Sequence, residues 1–280
     1  MLSKYGCFIF CMTIVILTSN AMSQEQSSED LAKQAQNPVA NMISLPFQNN
    51  TNFDIGPDED EVQNVLNIQP VIPITINEKW NLITRTIIPI LSQPDFYTSG
   101  DGRVTGLGDI TLSTFISPSD SAKLTWGVGP MFLFPTAIDG PLGGTTEGGG
   151  DSLGSDKWGA GLSAVGLMMP GKWVIGSLFS NLWSFAGSGD QDINLFTWQY
   201  FINYNLPKGW YLTSAPIITA NWEADSDNTW TIPFGGGVGK LFRIGKQPIN
   251  TQLSAYYNVE KPEFGPDWQL RFQLQFLFPK

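Results

Sequence analysis

Apolar and polar residues alternate with a period of two along the last stretch of the chain, residues 267–280. The even positions from Trp268 to Phe278 are apolar, and positions 269, 271, 273 and 275 between them carry glutamine or arginine. This alternation predicts a β-strand with two different faces, because successive side chains of a strand point to opposite sides of a sheet. In a soluble sandwich the apolar face would point inward, whereas in a transmembrane barrel it would face lipid and the polar face would line the interior.

The same period recurs upstream and predicts eleven further strands. The twelve predicted strands cover residues 42–54, 63–76, 80–91, 108–117, 123–134, 157–169, 172–184, 192–205, 210–222, 229–242, 249–260 and 267–278. At about eleven to thirteen residues each, they are long enough to cross a bilayer when tilted. Prolines at positions 70, 73, 89, 216 and 233 fall inside strands. Because proline lacks the donor of the hydrogen-bond ladder, we expect local bulges there.

The connections between these strands alternate in length. One set is short and covers residues 77–79, 117–122, 170–172, 206–209 and 243–248. The other set is mostly longer and covers residues 56–62, 92–107, 135–156, 185–191, 223–228 and 261–266. This layout is typical of outer-membrane barrels. The predicted fold is therefore all-β, a single 12-stranded antiparallel transmembrane barrel with short periplasmic turns and longer outer loops.

Charge differs between the two sets of connections. The charged residues of the longer set are mostly acidic, and its basic residues are Arg103 and Lys261. The charged residues of the short turns are mostly lysine and arginine. An acidic rim would concentrate cations and repel anions, or would bind divalent ions that bridge lipopolysaccharide phosphates. The same charges equally serve to keep exposed loops soluble. Outer-membrane lipid and lipopolysaccharide are accordingly expected partners of the barrel.

The final hairpin predicts its own register. If Glu260 pairs with Asp267, then Tyr256 lies opposite Arg271, and the polar residues of the two strands meet on one face while an apolar stripe forms on the other. Register is specified by such two-faced patterns, because a slip of one residue would turn every side chain to the wrong side.

The hairpin around Asn77 behaves in the same way. Pairing Ile76 with Trp80 gives an apolar stripe and leaves Gln69 and Arg85 on the opposite face. The polar faces of the two hairpins supply the predicted pore lining, which is Gln69, Arg85, Gln252, Tyr256, Asn258, Arg271, Gln273 and Gln275. Ionisable groups at membrane depth often mark an ion or solute path. The two arginines therefore mark such a path, or they pack against Tyr256 and nearby amides.

The N-terminus predicts export. Lys4, an apolar run over residues 7–17 and the small-residue pattern Ala21-Met22-Ser23 indicate a signal peptide over residues 1–23. Both cysteines lie in that segment. Residues 24–41 are predicted to form a periplasmic segment with a short helix capped by Ser28, outside the membrane, and residues 42–280 the barrel. The expected location is the outer membrane of a Gram-negative cell, and the barrel-assembly machinery is an expected partner.

Composition excludes several classes of function. The chain has no histidine, which removes Ser-His-Asp hydrolysis and ordinary zinc catalysis. The run Gly235–Leu241 lacks the first glycine and the Ser or Thr of a phosphate loop. A net charge of −10 argues against nucleic acid. Ten Trp, 18 Phe and 7 Tyr suit membrane interfaces. We expect no enzyme, no cofactor and no metal site.

Several stretches resemble one protein family. They are Asn37–Asn50, Asn67–Pro73, Gly106–Ile110, Trp126–Pro130 and Gly265–Phe272. Together they resemble the transporter-like outer-membrane proteins associated with the MetA pathway of phenol degradation. The resemblance implies an outer-membrane barrel that passes small, aromatic or hydrophobic molecules, and it supplies no catalytic motif.

The sequence thus predicts a channel or passive transporter for small solutes. The rival from another class is a non-conducting structural or surface-interaction barrel, with the loop at 135–156 as its exposed epitope.

Overall fold

The computed structural model describes residues 28–94, 102–120, 123–138, 153–188 and 191–279. The predicted signal peptide and most of the loop predicted at 135–156 lie outside the described residues. None of the helices in the described ranges is long and apolar enough to cross a membrane.

Strands make up most of the described chain, and one α-helix precedes them. The elements are α1 (Ser28–Ala35), β1 (Ile43–Ile55), β2 (Glu61–Ile68), β3 (Val71–Thr75), β4 (Trp80–Pro94), β5 (Arg103–Leu107), β6 (Ile110–Pro118), β7 (Thr125–Phe134), β8 (Lys157–Met168), β9 (Trp173–Gly187), β10 (Asn194–Asn205), β11 (Trp210–Ser214), β12 (Ile217–Asn221), β13 (Trp230–Ile244), β14 (Gln247–Glu260) and β15 (Trp268–Phe278).

These strands form twelve antiparallel spans that close into a barrel. Each span pairs with the spans before and after it in the chain, and β1 pairs with both β2 and β15. Three spans are interrupted and appear as β2 with β3, β5 with β6, and β11 with β12. Closure leaves no sheet edge, which a strand structure in lipid requires. The predicted 12-stranded barrel is confirmed. We call its two ends the turn end, with the short connections, and the loop end.

Proline explains two of the interruptions. Pro70 lies between β2 and β3, and Pro216 lies between β11 and β12. Pro233 stands where the pairing of β13 with β14 shifts register. The bulge expected at Pro73 is wrong, because Pro73 continues its strand in register with Ile83. Pro89 stays in register with Asn67 of β2, but on its other side the pairing of β4 shifts by one residue between β6 and β5, so an irregularity does lie beside Pro89. A residue in an antiparallel ladder directs its N–H towards one neighbour, so proline leaves one bond unmade and can still accept at its carbonyl.

The structure confirms the predicted register of one hairpin and displaces that of the other. The Asn77 hairpin is confirmed, with Ile68 opposite Ile88. The final hairpin keeps its faces but is displaced by two residues, so that Arg271 lies opposite Ser254 and not opposite Tyr256.

Contacts across the final connection explain the displacement. The backbone N–H of Asn258 donates to the carbonyl of Asp267 at 2.8 Å, and its side-chain amide donates to the carbonyl of Pro266 at 2.6 Å. The Lys261 ammonium also reaches the Asp267 carboxylate at 2.5 Å. These bonds close a wider loop than the tight pairing of Glu260 with Asp267 would allow.

The outer face of the barrel is largely apolar between two rings of aromatic side chains. Exposed aromatic residues near the turn end are Trp173, Trp210 and Phe278, and near the loop end Trp158, Trp183, Trp222 and Trp268. Such girdles mark the two membrane interfaces of outer-membrane barrels. An exception is a polar group formed by Asn49, Thr51 and Asn64, which satisfy one another by hydrogen bonds of 2.9 to 3.3 Å.

Asp109 occupies the third interruption, between β5 and β6, and ties distant loop segments together. Its Oδ1 accepts hydrogen bonds from the backbone N–H groups of Thr136 and Ala137, each at 3.1 Å. Its Oδ2 accepts from the backbone N–H and the hydroxyl of Ser155, at 2.6 and 2.7 Å. One carboxylate therefore satisfies four donors from both ends of the connection between β7 and β8.

We expect Asp109→Ala to loosen these segments. The loss of a charged acceptor leaves the backbone donors of Ala137 and Ser155 unpaired, whereas the Thr136 N–H keeps its bond to the Phe134 carbonyl at 2.8 Å. Hydrogen bonds to charged groups contribute about 1.5–3 kcal/mol each. Amide hydrogen exchange at 136–137 and 153–155 should accelerate at least about tenfold at that magnitude. Asp120→Ala, which removes an exposed turn carboxylate, is the control. Equal exchange in the two variants would contradict the role given to Asp109.

Candidate functional site

The interior face of the barrel carries a chain of hydrogen-bonded side chains near the loop end. Arg271 Nη2 donates to Gln269 Oε1 at 2.9 Å, and Gln269 Nε2 donates to Asn52 Oδ1 at 3.0 Å. The chain continues from Asn52 Nδ2 to Gln63 Oε1 and from Gln63 Nε2 to Gln93 Oε1, each at 2.9 Å. Amides suit such a row, because each one both donates and accepts. Beyond Arg271, this row is therefore polar and uncharged as it crosses from β15 over β1 and β2 to β4.

Arg271 also reaches towards the interrupted span formed by β11 and β12. Its Nη1 donates to the carbonyl of Ala215 at 2.7 Å, and its Nε donates to Asn50 Oδ1 at 3.0 Å. The guanidinium lies 4.8 Å from the ring centroid of Tyr256, whose hydroxyl accepts from the Ala215 N–H at 3.3 Å. Arg271 is 2% exposed. Arg271 thus stabilises the backbone beside Pro216, where the hydrogen bonds of the strand ladder are interrupted.

A glycine-lined stretch of β13 accommodates a buried tyrosine. The ring of Tyr211 lies so close to Gly239 that a β-carbon there would overlap ring atoms. The Tyr211 hydroxyl lies 3.0 Å from Asn250 Oδ1 and 3.4 Å from Gln252 Oε1. The missing side chain lets the ring lie against the wall and its hydroxyl join the polar row of β14.

The opposite part of the interior wall is apolar. Its buried residues form one cluster with Val39 of the N-terminal segment: Ile83, Phe115, Val165, Leu167, Val174, Leu178 and Phe201. These side chains come from β4, β6, β8, β9 and β10. The interior therefore has an amide-rich side and an aliphatic and aromatic side that face each other.

Residues 28–42 lie inside the turn end and join the two sides. Leu31, Ala32, Ala40 and Met42 pack with Leu241 and Leu277 on the β13 and β15 side. Gln36 and Asn205 exchange two side-chain hydrogen bonds, at 3.0 and 3.2 Å. Val39 is buried in the apolar cluster on the far wall. The sequence placed this segment outside the membrane, whereas the structure packs it against the interior face.

Two cavities flank the N-terminal segment. The first has a volume of about 140 Å³ and contains Arg85 and Gln69 in its wall. The second has a volume of about 120 Å³ and contains Arg271 and Tyr211. Residues shared by both walls are Ala35, Gln36, Pro38, Gln48, Gln199 and Gln273. In the second cavity, the buried hydroxyl of Thr213 has no hydrogen-bond partner among the described residues.

The structure places all eight predicted lining residues on the interior face. Arg85 and Gln69 are in direct contact, with Nη2 donating to Oε1 at 2.7 Å. Walls of the two cavities include Gln69, Arg85, Gln252, Arg271, Gln273 and Gln275. Asn258 lies nearer the loop end, and the Tyr256 ring lies under Arg271.

Sequence reasoning missed several interior residues. Gln48, Asn50 and Asn52 are buried in the interior, but they belong to a run of five polar residues from 48 to 52 that shows no alternation. Val39 was missed because it lies outside every strand. Tyr211 alternates with the exposed Trp210 and Leu212, a signal that the prediction did not use. A charge-free amide run at predicted membrane depth was the available signal for the first group.

The loop-end rim carries ion pairs. Lys261 lies between Asp267 and Glu59, 2.5 and 3.4 Å from their carboxylate oxygens. The hydrogen bond to Asp267 is the main cause that raises the pKa of Lys261. A hydrogen bond from Lys157 likewise lowers the pKa of Asp192. Within the described ranges, no three His, Cys, Asp or Glu side chains group as metal ligands would.

Comparison with solved structures identifies the fold. The crystal structure of an outer-membrane channel from Pseudomonas putida F1 is similar, with a TM-score of 0.63 and 19% identity, covering 85% of this chain and 95% of that one. The NanC porin (TM-score 0.49, 7% identity, coverage 85% and 100%) and the CymD monoaromatic hydrocarbon channel (0.47, 9%, 85% and 88%) are more distant. At this identity the likeness shows the outer-membrane barrel fold alone.

No protein-family model and no curated protein sequence matches the chain. The family resemblance drawn from the sequence is therefore not confirmed, and it stays a proposal.

Proposed function

We propose that the chain is an outer-membrane channel or passive transporter for small solutes. The observation that carries this proposal is the closed wall with an apolar outer face around a polar, cavity-bearing interior. Amides on the wall replace the hydrogen bonds that a solute loses with water, and they do so without fixing a counter-ion. The outer face would contact outer-membrane lipid and, at the loop end, lipopolysaccharide.

The N-terminal segment acts in this proposal as a plug at the turn end. It joins the β13 and β15 side of the interior to the apolar cluster on the opposite wall. A solute path along the barrel axis would pass beside or through this segment. The eight interior residues named above would line that path, with Arg271 as part of its supporting wall.

Small aromatic or hydrophobic solutes are the proposed cargo. The resemblance to the phenol-degradation family implies them, and the interior offers Phe115, Leu178 and Phe201 on one wall. Apolar surface of this kind binds nonpolar groups by removing them from water.

The rival is a barrel that does not conduct, and the buried N-terminal segment favours it as the resting state. Planar-bilayer recording of the refolded mature chain separates the two functions. A channel should give discrete current steps, infrequent while the segment is bound and frequent once it is displaced. A barrel that shows the heat-dependent gel mobility of a folded protein, yet never conducts even with the segment displaced, would support the structural function.

A further inference from the structure

Charge is distributed unevenly along the interior. In the described strands, the acidic residues are Asp54, Glu61 and Glu260, and each stands within two residues of the loop end of its strand. Arg85 and Arg271 lie well inside their strands, on the interior face. Away from their ends, the described strands therefore carry two positive charges on the interior face and no carboxylate.

The two arginines are not equivalent. Arg271 is almost fully buried and uses all three nitrogens on Asn50, Ala215 and Gln269. Arg85 is only partly buried, lines the first cavity, and has one hydrogen bond recorded to a described residue, from Nη2 to Gln69 Oε1. A guanidinium carries five N–H donors. Arg85 thus places a positive charge and further N–H donors at the wall of the first cavity.

The remainder of that cavity has two chemical characters. Amides line one part, including Gln48, Gln199 and Gln273, while Leu178, Val71 and Pro38 line another. Its volume of about 140 Å³ is close to that of an engineered cavity of about 150 Å³ that holds one benzene molecule. The space suits a molecule with an apolar body about the size of one ring and one polar end.

We propose that the cavity beside Arg85 binds a small monocarboxylate whose apolar body is about the size of a single ring. The carboxylate accepts hydrogen bonds from the Arg85 guanidinium, a geometry that favours planar anions. The apolar body lies against Leu178 and Val71. This inference rests on the proposed transport function and names its substrate class.

The expected affinity is modest. The acidic residues at the loop end repel anions from that mouth, which lowers their local concentration. A transport site must also release its solute, so binding should be weak. A dissociation constant on the order of 1 mM, about −4 kcal/mol, is expected.

Equilibrium dialysis of the folded barrel in detergent tests the site with three probes of similar size. Benzoate is the anion, benzyl alcohol the neutral analogue and benzylamine the cation. Benzoate should be retained at least about tenfold more strongly than either analogue, a difference of 1.4 kcal/mol. Arg85→Gln should lose that preference and Arg85→Lys should keep most of it. The Gln variant also corrects for partition into micelles.

Two results would overturn the site. The first is that the wild type and Arg85→Gln retain benzoate equally. The second is that the wild type shows no preference for benzoate over the two analogues, a measurement that requires no variant. Bilayer recordings on the same preparations separate this inference from the channel. A conducting barrel without benzoate preference would remove the site and leave the channel. Benzoate binding to a barrel that does not conduct would support the site and remove the channel.

Discussion

Val39→Asp should convert a mostly closed barrel into one that conducts frequently. Val39 is 5% exposed and packs among Ile83, Phe115 and other apolar residues of the far wall. An unpaired carboxylate buried there would cost several kcal/mol. The segment can escape that cost by leaving the wall. A penalty of roughly 3 kcal/mol shifts the ratio of bound to released segment by about a hundredfold.

The measurement is single-channel recording in planar bilayers, with open probability as the readout. Ser28→Asp adds the same charge to the same segment at an exposed position and should behave as the wild type. Gel mobility before and after heating confirms that each variant is folded. If Val39→Asp and Ser28→Asp open equally rarely, residues 28–42 are not the plug.

The regular part of the fold was open to prediction because lipid imposes one rule on every span. A strand that faces hydrocarbon on one side must alternate, so the apolar positions of β15 and the stripe of the Asn77 hairpin revealed both strand and face. Register was harder to predict. The final hairpin slipped by two residues because Asn258, Pro266 and Asp267 form bonds within the loop that carry no periodic signal.

The contents of the barrel were less predictable than its wall. Val39 reaches the far wall only because the segment folds back into the turn end, where it joins a cluster that includes residues as distant in sequence as Phe201, and local pattern cannot report such packing. On β1, Asn49 and Thr51 point outward and bond to Asn64, which hides the alternation that would have assigned Gln48 and Asn50 to the interior. On β14 and β15 the alternation assigned the predicted residues to the interior face, whereas Gln69 and Arg85 were assigned by the pairing of the Asn77 hairpin.

Arg271→Met should destabilise the barrel more than other interior substitutions. Methionine keeps much of the side-chain length but donates no hydrogen bond. Asn50 Oδ1, Gln269 Oε1 and the carbonyl of Ala215 would each lose a charged donor. Removing one partner from a buried charged network costs on the order of 3–5 kcal/mol. The loss should appear in urea unfolding of the lipid-reconstituted barrel, monitored by tryptophan fluorescence.

Two matched variants show whether the geometry or the charge of Arg271 matters. Gln273→Met changes the next interior position of β15, where the recorded bond to Gln275 is long at 3.4 Å, and it should cost less than about 1 kcal/mol. Arg271→Lys keeps the charge, but an ammonium cannot reach three acceptors in a planar fork, so its stability should lie between the two. If the free energies of unfolding of Arg271→Met and Gln273→Met differ by less than about 1 kcal/mol, then β15 does not stabilise the interruption at Pro216. The polar row would then be a lining that solutes contact and not a support for the wall.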